Sequence, residues 1–142
     1  RQRFQGTDVQ PEPHLSIGVS VLVADDADEA ERLASSIRLW RSRLMTQGEG
    51  GPIPSVEEAL AHPVSSGERD LLSRQQSRLV CGTPAEVRTR IEELAEAYDA
   101  DEVLAVTICH SHRARRRSYE LLAKAFDLPA ASPELAAAPT PT

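Results

Sequence analysis

Two histidines, His110 and His112, are the first candidates for chemistry in this sequence. Imidazoles ligate metal ions and carry protons near neutral pH. The pair has no carboxylate or third ligand in sequence reach, so its spacing is poor evidence for zinc, and we expect no metal site. A role in a substrate pocket or at a helix N-terminus is better supported. No Ser/His/Asp or Cys/His nucleophile arrangement can be defended from spacing, and the catalytic residues stay unassigned.

The two cysteines, Cys81 and Cys109, fall at the ends of predicted strands. Buried thiols in a reducing cytosol are favoured over a disulfide. Gly82, Thr83 and Pro84 begin a predicted helix, whose N-terminus can either hold a phosphate or simply be capped. Pro84 removes one backbone donor, so the pattern favours capping.

Composition limits the class of protein. The chain has 142 residues, 40% of them hydrophobic and only 4% aromatic, enough for one domain with an aliphatic core. A net charge of -6 argues against a nucleic-acid or anionic-membrane surface. The basic run at 113–117 is therefore interpreted as a solvated helix face. With no apolar run near the ~20 residues of a membrane span and no visible signal peptide, we expect a cytoplasmic protein.

Three strands, each followed by a major helix, are predicted in order. Residues 16–23 alternate, with branched side chains on one face and small ones on the other. Capping boxes begin helices after Asp26, Ser55 and Thr83, and Ser111 caps the last helix. The apolar run that begins at Val103 has no polar alternation, which predicts a strand buried on both faces. Strand, helix and strand in succession predict a parallel sheet.

The segment at 47–77 is much longer than an ordinary connection between a helix and a strand. It contains Gly and Pro residues, the helix capped by Ser55 and a second predicted helix at 68–76. Insertions of this length usually carry function or assembly contacts. Three parallel strands would leave two exposed edges, so we expect strands from elsewhere to complete the sheet.

Four sequence phrases resemble the C-terminal part of the bacterial luciferase-like flavin-dependent monooxygenases. They are ADEAERLASSIRLW at 27–40, PIPSVEEAL at 52–60, VCGTPAEVRTRI at 80–91 and SYELLA at 118–123. Each alone is weak, but their order and spacing together are fairly specific. The resemblance covers residues 17–128 and implies an α/β fold, the last three βα units of a TIM (β/α)8 barrel with a helical insertion.

The resemblance implies a noncovalent flavin, usually FMN, that is reduced by a separate flavin reductase or by a nicotinamide cofactor. The reduced flavin reacts with oxygen and a small organic substrate; some relatives use a deazaflavin for hydride transfer instead. Gly18 and Trp40 match positions beside the cofactor, although Gly18 can merely make room and Trp40 can be a core residue. Thr107 and His110 match the barrel mouth and are expected in the substrate pocket.

The first five strands of such a barrel are absent from the sequence. We therefore expect residues 1–15 to link to a missing N-terminal part, 16–128 to form the C-terminal part of the barrel, and 129–142 to be a disordered Pro/Ala tail. The chain alone is expected neither to bind flavin nor to catalyse the reaction. Its partner would be the missing barrel half or another chain, and relatives of this type are often homodimers. The alternative is a noncatalytic fragment or interaction module.

Overall fold

A three-stranded parallel sheet with helices on both faces forms the centre of the computed structural model, which describes residues 3–48, 50–64, 67 and 79–129. The elements in chain order are β1 (Ser16–Val23), α1 (Ala27–Gln47), α2 (Val56–Ala61), β2 (Val80–Gly82), α3 (Pro84–Tyr98), β3 (Glu102–Val106) and α4 (His112–Ala125). The three predicted βα units are thus confirmed. The predicted helix at 68–76 and the tail at 130–142 lie outside the described residues.

The predicted caps explain where the helices begin. The Asp26 carboxylate accepts from the Glu29 N–H at 2.8 Å, and Ser55 and Glu58 form a reciprocal capping box at α2. At α3, the Glu86 carboxylate accepts from both the backbone N–H and the hydroxyl of Thr83. Each cap satisfies backbone donors that would otherwise lack partners in the first turn.

The strand order is β2-β1-β3, with β1 in the centre. Ser16 to Ser20 pair with β3, and Val21 to Val23 pair with β2 on the other side. Consecutive units of a (β/α)8 barrel would place β2 between the other two strands, so the predicted barrel segment is not confirmed by the described residues. The difference lies in β1: its eight residues are long enough to pair with both neighbours, whereas β2 has only three.

The helices divide between the two faces of the sheet. Leu22 packs against α1, whereas Val21 and Val23 point the other way, to α3 and α4. This is the arrangement that right-handed crossovers produce when the chain moves from a central strand to one edge and then back to the other. The predicted alternation of β1 is confirmed: Val19, Val21 and Val23 face α3 and α4, and the small set, with Gly18, lies on the α1 side.

A polar cluster ties α1 to the edge strand β2. The Cys81 thiol donates to Glu31 Oε1 at 3.1 Å, and Arg38 donates to both Glu31 and the Cys81 sulfur. The Arg38 hydrogen bond lowers the pKa of Glu31 to about 2, and burial, followed by the hydrogen bond to Glu31, raises the pKa of Cys81 to about 11. Cys81 is therefore a protonated thiol at neutral pH and no nucleophile.

Both cysteines are free and half-buried, which confirms the prediction of thiols rather than a disulfide. Cys81 pairs with Leu22 on one side of β1, while Cys109 follows β3 on the other side.

Gly82 and Gly18 offer a matched test of the fold. A Cβ on Gly82 would lie 2.7 Å from Glu86 Oε2, at a φ of +151, whereas a Cβ on Gly18 meets no atom within 4 Å. We expect Gly82→Ala to lower the free energy of unfolding by about 1–3 kcal/mol because of this strain. Gly18→Ala is expected to stay within about 1 kcal/mol of the parent. Urea unfolding of both variants measures the difference, and equal losses would contradict the fold at β2.

The Cys81 cluster predicts slow alkylation. With a pKa of about 11, Cys81 has roughly a hundredfold less thiolate at pH 8 than an ordinary cysteine, so iodoacetamide should react about a hundredfold more slowly than in urea-unfolded chain. Glu31→Gln removes an acceptor and a negative charge while Arg38 stays, so the rate should rise. Peptide mass spectrometry separates Cys81 from Cys109. A Cys81 that reacts at the unfolded rate would exclude this cluster.

Candidate functional site

The candidate site residues predicted from the sequence do not all line the same cavity. Gly18 and Trp40 line the same cavity, of about 730 Å³, between α1 and α3. His110 lines a second cavity, of about 460 Å³, beyond the carboxyl ends of β1 and β3. Thr107 lines neither cavity among those found in the described part of the chain. We refer to the first as the edge cavity and to the second as the carboxyl-edge crevice.

The edge cavity opens where β2 stops short. Leu15 directs its carbonyl to β3, and Ala24 directs its N–H to Gly82 in β2. Because alternate residues of a parallel strand direct their polar groups to opposite sides, Gly18 directs its N–H and C=O to the β2 side. Within the described residues no strand pairs with Gly18 on that side, so these groups face the cavity.

The walls of the edge cavity are mainly apolar. Trp40, Leu44 and Met45 come from α1, and Leu94 and Tyr98 come from α3. Leu44, Met45 and Tyr98 are exposed, which means that the cavity is open to solvent on that side. These walls suit a flat apolar ligand.

Polar groups hold the α1 wall in place. The Trp40 indole N–H donates to the Gly51 carbonyl at 3.0 Å, so Trp40 is half-buried and its ring orientation is fixed. Arg41 also lines the cavity, and its guanidinium donates to the Ser20 hydroxyl at 2.7 Å. A role for Arg41 was not predicted from the sequence; its position next to Trp40 was the only signal that could have indicated one.

The carboxyl-edge crevice contains two ion pairs. Arg117 binds both oxygens of Asp25, with Nε 3.1 Å from Oδ2, and Arg32 Nε lies 2.6 Å from Glu29 Oε2. The Arg117 hydrogen bond lowers the pKa of Asp25, and that from Arg32 lowers the pKa of Glu29. The Asp25 to Arg117 pair was not predicted, because its two members are 92 residues apart in sequence. Arg113, Arg115 and Arg116 are exposed, as expected of a solvated basic face.

His110 has a defined orientation in this crevice. Its Nδ1 lies 2.9 Å from the carbonyl oxygen of Ile53, in the segment that precedes α2. A carbonyl oxygen only accepts, so Nδ1 carries a proton, and in the Nδ1–H tautomer Nε2 is an acceptor. His112 Nδ1 instead lies 2.9 Å from Arg115 Nη2. No group of three or more metal-ligating side chains occurs among the described residues.

Thr107 is 3% exposed and belongs to the core. Its N–H donates to the Tyr119 hydroxyl at 3.0 Å, and its own hydroxyl lies 3.4 Å from Ser118 Oγ. Ser118 Oγ also accepts from the Val23 N–H at 2.9 Å. These bonds fasten α4 to the ends of β1 and β3. Contact of Thr107 with a substrate stays a prediction.

The start of α3 favours capping over phosphate binding. The Glu86 carboxylate lies 2.9 Å from the Thr83 N–H and 2.7 Å from its hydroxyl. A negative side chain thus already holds the donors that a phosphate would need. The thiol of Cys109 is similarly occupied, since it donates to the Ser111 carbonyl and burial raises its pKa.

Comparison with known proteins gives relatives over most of this chain. The uncharacterized protein YceB of Bacillus subtilis is 31% identical over 126 residues, covering 89% of this chain and 38% of YceB. A luciferase-like monooxygenase of Escherichia coli is 26% identical over 121 residues, covering 85% of this chain and 36% of the relative. No family model matches. The chain spans less than two fifths of the length of the curated relatives it matches.

A solved structure has the same arrangement of elements. The crystal structure of apo-MsnO8 superposes with a TM-score of 0.81 at 33% identity, covering 92% of this chain and 40% of that one. No helix of the described residues is both long and apolar enough to cross a membrane. The chain is therefore an α/β protein with a small parallel sheet, and its similarities support the luciferase-like monooxygenase family.

Proposed function

We propose that this chain is the C-terminal part of a luciferase-like flavin-dependent oxidoreductase, a monooxygenase that acts with reduced FMN and oxygen on a small organic substrate. Two observations support the proposal. The chain is similar over 85% of its length to a luciferase-like monooxygenase. Gly18 and Trp40, the two residues that the resemblance assigns to the cofactor, line one cavity. The shared cavity is the main support for assigning both residues to cofactor binding, because they are 22 positions apart in sequence and lie on different elements.

The edge cavity has the features that a flavin ring needs. Its apolar walls would pack against the ring, with the Trp40 indole held by Gly51. The N–H and C=O of Gly18 would meet the polar edge of the ring, since the glycine leaves open space where a side chain would stand. Arg41, positioned through Ser20, would supply a positive charge to an anionic reduced ring or phosphate.

When bound, reduced FMN supplies the reaction with oxygen; a deazaflavin at the same site would supply hydride transfer instead. The residues of this chain would bind and orient the ring and keep water from one of its faces. Reduction would come from a separate flavin reductase or from a nicotinamide cofactor. His110, on the carboxyl-edge crevice, is the residue of this chain that we propose for contact with substrate.

The complete protein would require further strands. The outer edges of β2 and β3 have no strand partner within the described residues. On the α1 side of the sheet, Leu104 and Val106 are 53% and 48% exposed. We propose that the part of the relatives to which this chain does not correspond covers this face and closes the barrel, in one polypeptide or as a partner chain, and that the assembly is a homodimer in a reducing cytoplasm.

Flavin titration of a hybrid protein tests the proposal. The hybrid replaces the part of YceB that matches this chain with this chain, and intact YceB is the reference. Because the chain contains one tryptophan, FMN binding beside Trp40 should quench both the FMN fluorescence and the Trp40 contribution to the emission. Gly18→Leu should weaken FMN binding by roughly tenfold or more, since its side chain would occupy the space of the ring.

Gly67→Leu is the matched control, because a Cβ at Gly67 also meets no atom within 4 Å but Gly67 lines neither cavity. It should leave FMN binding unchanged. A folded hybrid that binds no FMN, while YceB does, would refute the flavin assignment and favour a noncatalytic module. Equal effects of Gly18→Leu and Gly67→Leu would refute the edge cavity as its site.

A further inference from the structure

The strand order creates a crevice that lies apart from the proposed flavin cavity and that contains His110, the proposed substrate contact. The helix after β1 lies on one face of the sheet, and the helix after β3 lies on the other. The chain therefore leaves the neighbouring carboxyl ends of β1 and β3 in opposite directions. In open parallel sheets this switch point is where ligands bind, because the diverging connections leave a gap between them.

The carboxyl-edge crevice lies at this switch point. Asp25 follows β1, His110 follows β3, and Arg113 belongs to the first turn of α4. Its volume of about 460 Å³ falls within the range of small-molecule sites. Topology and cavity thus indicate the same place independently of any resemblance.

Two charged side chains of the crevice, Arg113 and Glu57, lie outside its ion pairs, and the Glu57 carboxylate is held at the start of α2 by the Ser55 hydroxyl and a backbone N–H. Arg117 is bound to Asp25 and Arg32 to Glu29, so each positive charge is neutralised by its own carboxylate. Arg113 forms no hydrogen bond or ion pair with any part of the chain that the structure describes. The charge of Arg113 destabilises α4, because a positive side chain near a helix N-terminus interacts unfavourably with the helix dipole. The first turn contains no acidic residue to offset it.

His110 supplies a directed acceptor in the same crevice. Its Nδ1–H is used by the Ile53 carbonyl, and Ile53 is held by its neighbour Pro54, whose carbonyl accepts from the buried Ser36 hydroxyl. The imidazole is therefore oriented by a contact to the rest of the fold, and Nε2 keeps its lone pair for a ligand.

We infer that the carboxyl-edge crevice binds a small organic anion that also carries a hydrogen-bond donor, with Arg113 binding the negative group and His110 Nε2 accepting from the donor. The inference rests on the proposed substrate contact of His110, but it can fail separately from flavin binding, since none of these residues lines the edge cavity. Arg113 and His110 both belong to this chain, so the inference can be tested on the 142-residue chain itself.

Ligand titration followed by NMR tests the inference on the 142-residue chain without flavin. The probes are 4-hydroxybenzoate and benzoate, which share the carboxylate and differ in one hydroxyl donor. Both should shift the amide resonances of residues 109–114 at millimolar concentration, and the hydroxylated ligand should bind about fivefold more tightly. Arg113→Gln should weaken both about tenfold, and Arg113→Lys should retain most of the affinity.

Two further variants separate a site from general charge effects. Arg116→Gln removes the same charge about one helical turn along α4. Arg116 pairs with Glu120 and does not line the crevice, so this variant should leave both affinities unchanged. His110→Asn can keep the donor to Ile53 but lacks the second ring nitrogen, so the preference for the hydroxylated ligand should fall to about one. Equal losses in Arg113→Gln and Arg116→Gln, a preference that survives in His110→Asn, or shifts confined to residues 17–20 would each overturn the inference. Absence of any shift up to the solubility of both ligands would overturn it as well.

Discussion

The burial of the carboxyl half of β1 is the constraint on which the structure depends. Val21, Leu22 and Val23 are at most 1% exposed, and they face helices on both sides of the sheet. Burial of such side chains contributes about 1.5–3 kcal/mol each relative to exposure. The backbone N–H and C=O groups of a strand covered in this way must form hydrogen bonds on both edges. Strand β3 pairs with the first part of β1, and β2 pairs with its last three residues. The two cavities are the places where that pairing ends.

The local features of the fold could be predicted from the sequence, because their causes are local. Strand β1 has the predicted bounds, and the capping residues Asp26, Ser55, Thr83 and Ser111 precede the helices they were expected to begin. The strand order could not be predicted, because pairing depends on contacts between segments 59 to 86 residues apart and no local pattern records which strand is central. Resemblance to a barrel indicated consecutive order, and the structure has β1 in the middle instead.

The candidate sites divide in the same way. Gly18 and Trp40 were recognised as residue types at positions in a family pattern, and the structure adds that one cavity contains both. The partners that position the side chains were not visible. The Ile53 carbonyl orients His110, Ser20 binds Arg41, and neither contact leaves a signal in the sequence. Thr107 was expected at the substrate pocket from the resemblance, and its contacts with Ser118 and Tyr119 in the core left no signal in the sequence.

The central position of β1 has a consequence for how the protein comes into being. The ribosome makes β1 before β2 and β3, and Glu102, the partner of Ser16, emerges 86 residues later, after the whole of α1, α2 and α3. During synthesis β1 must therefore wait for its partner β3 for several seconds at ordinary elongation rates of about 5–20 residues per second. A nascent chain of this kind is a candidate client for chaperones that shield hydrophobic segments, and truncation before β3 should favour aggregation over folding.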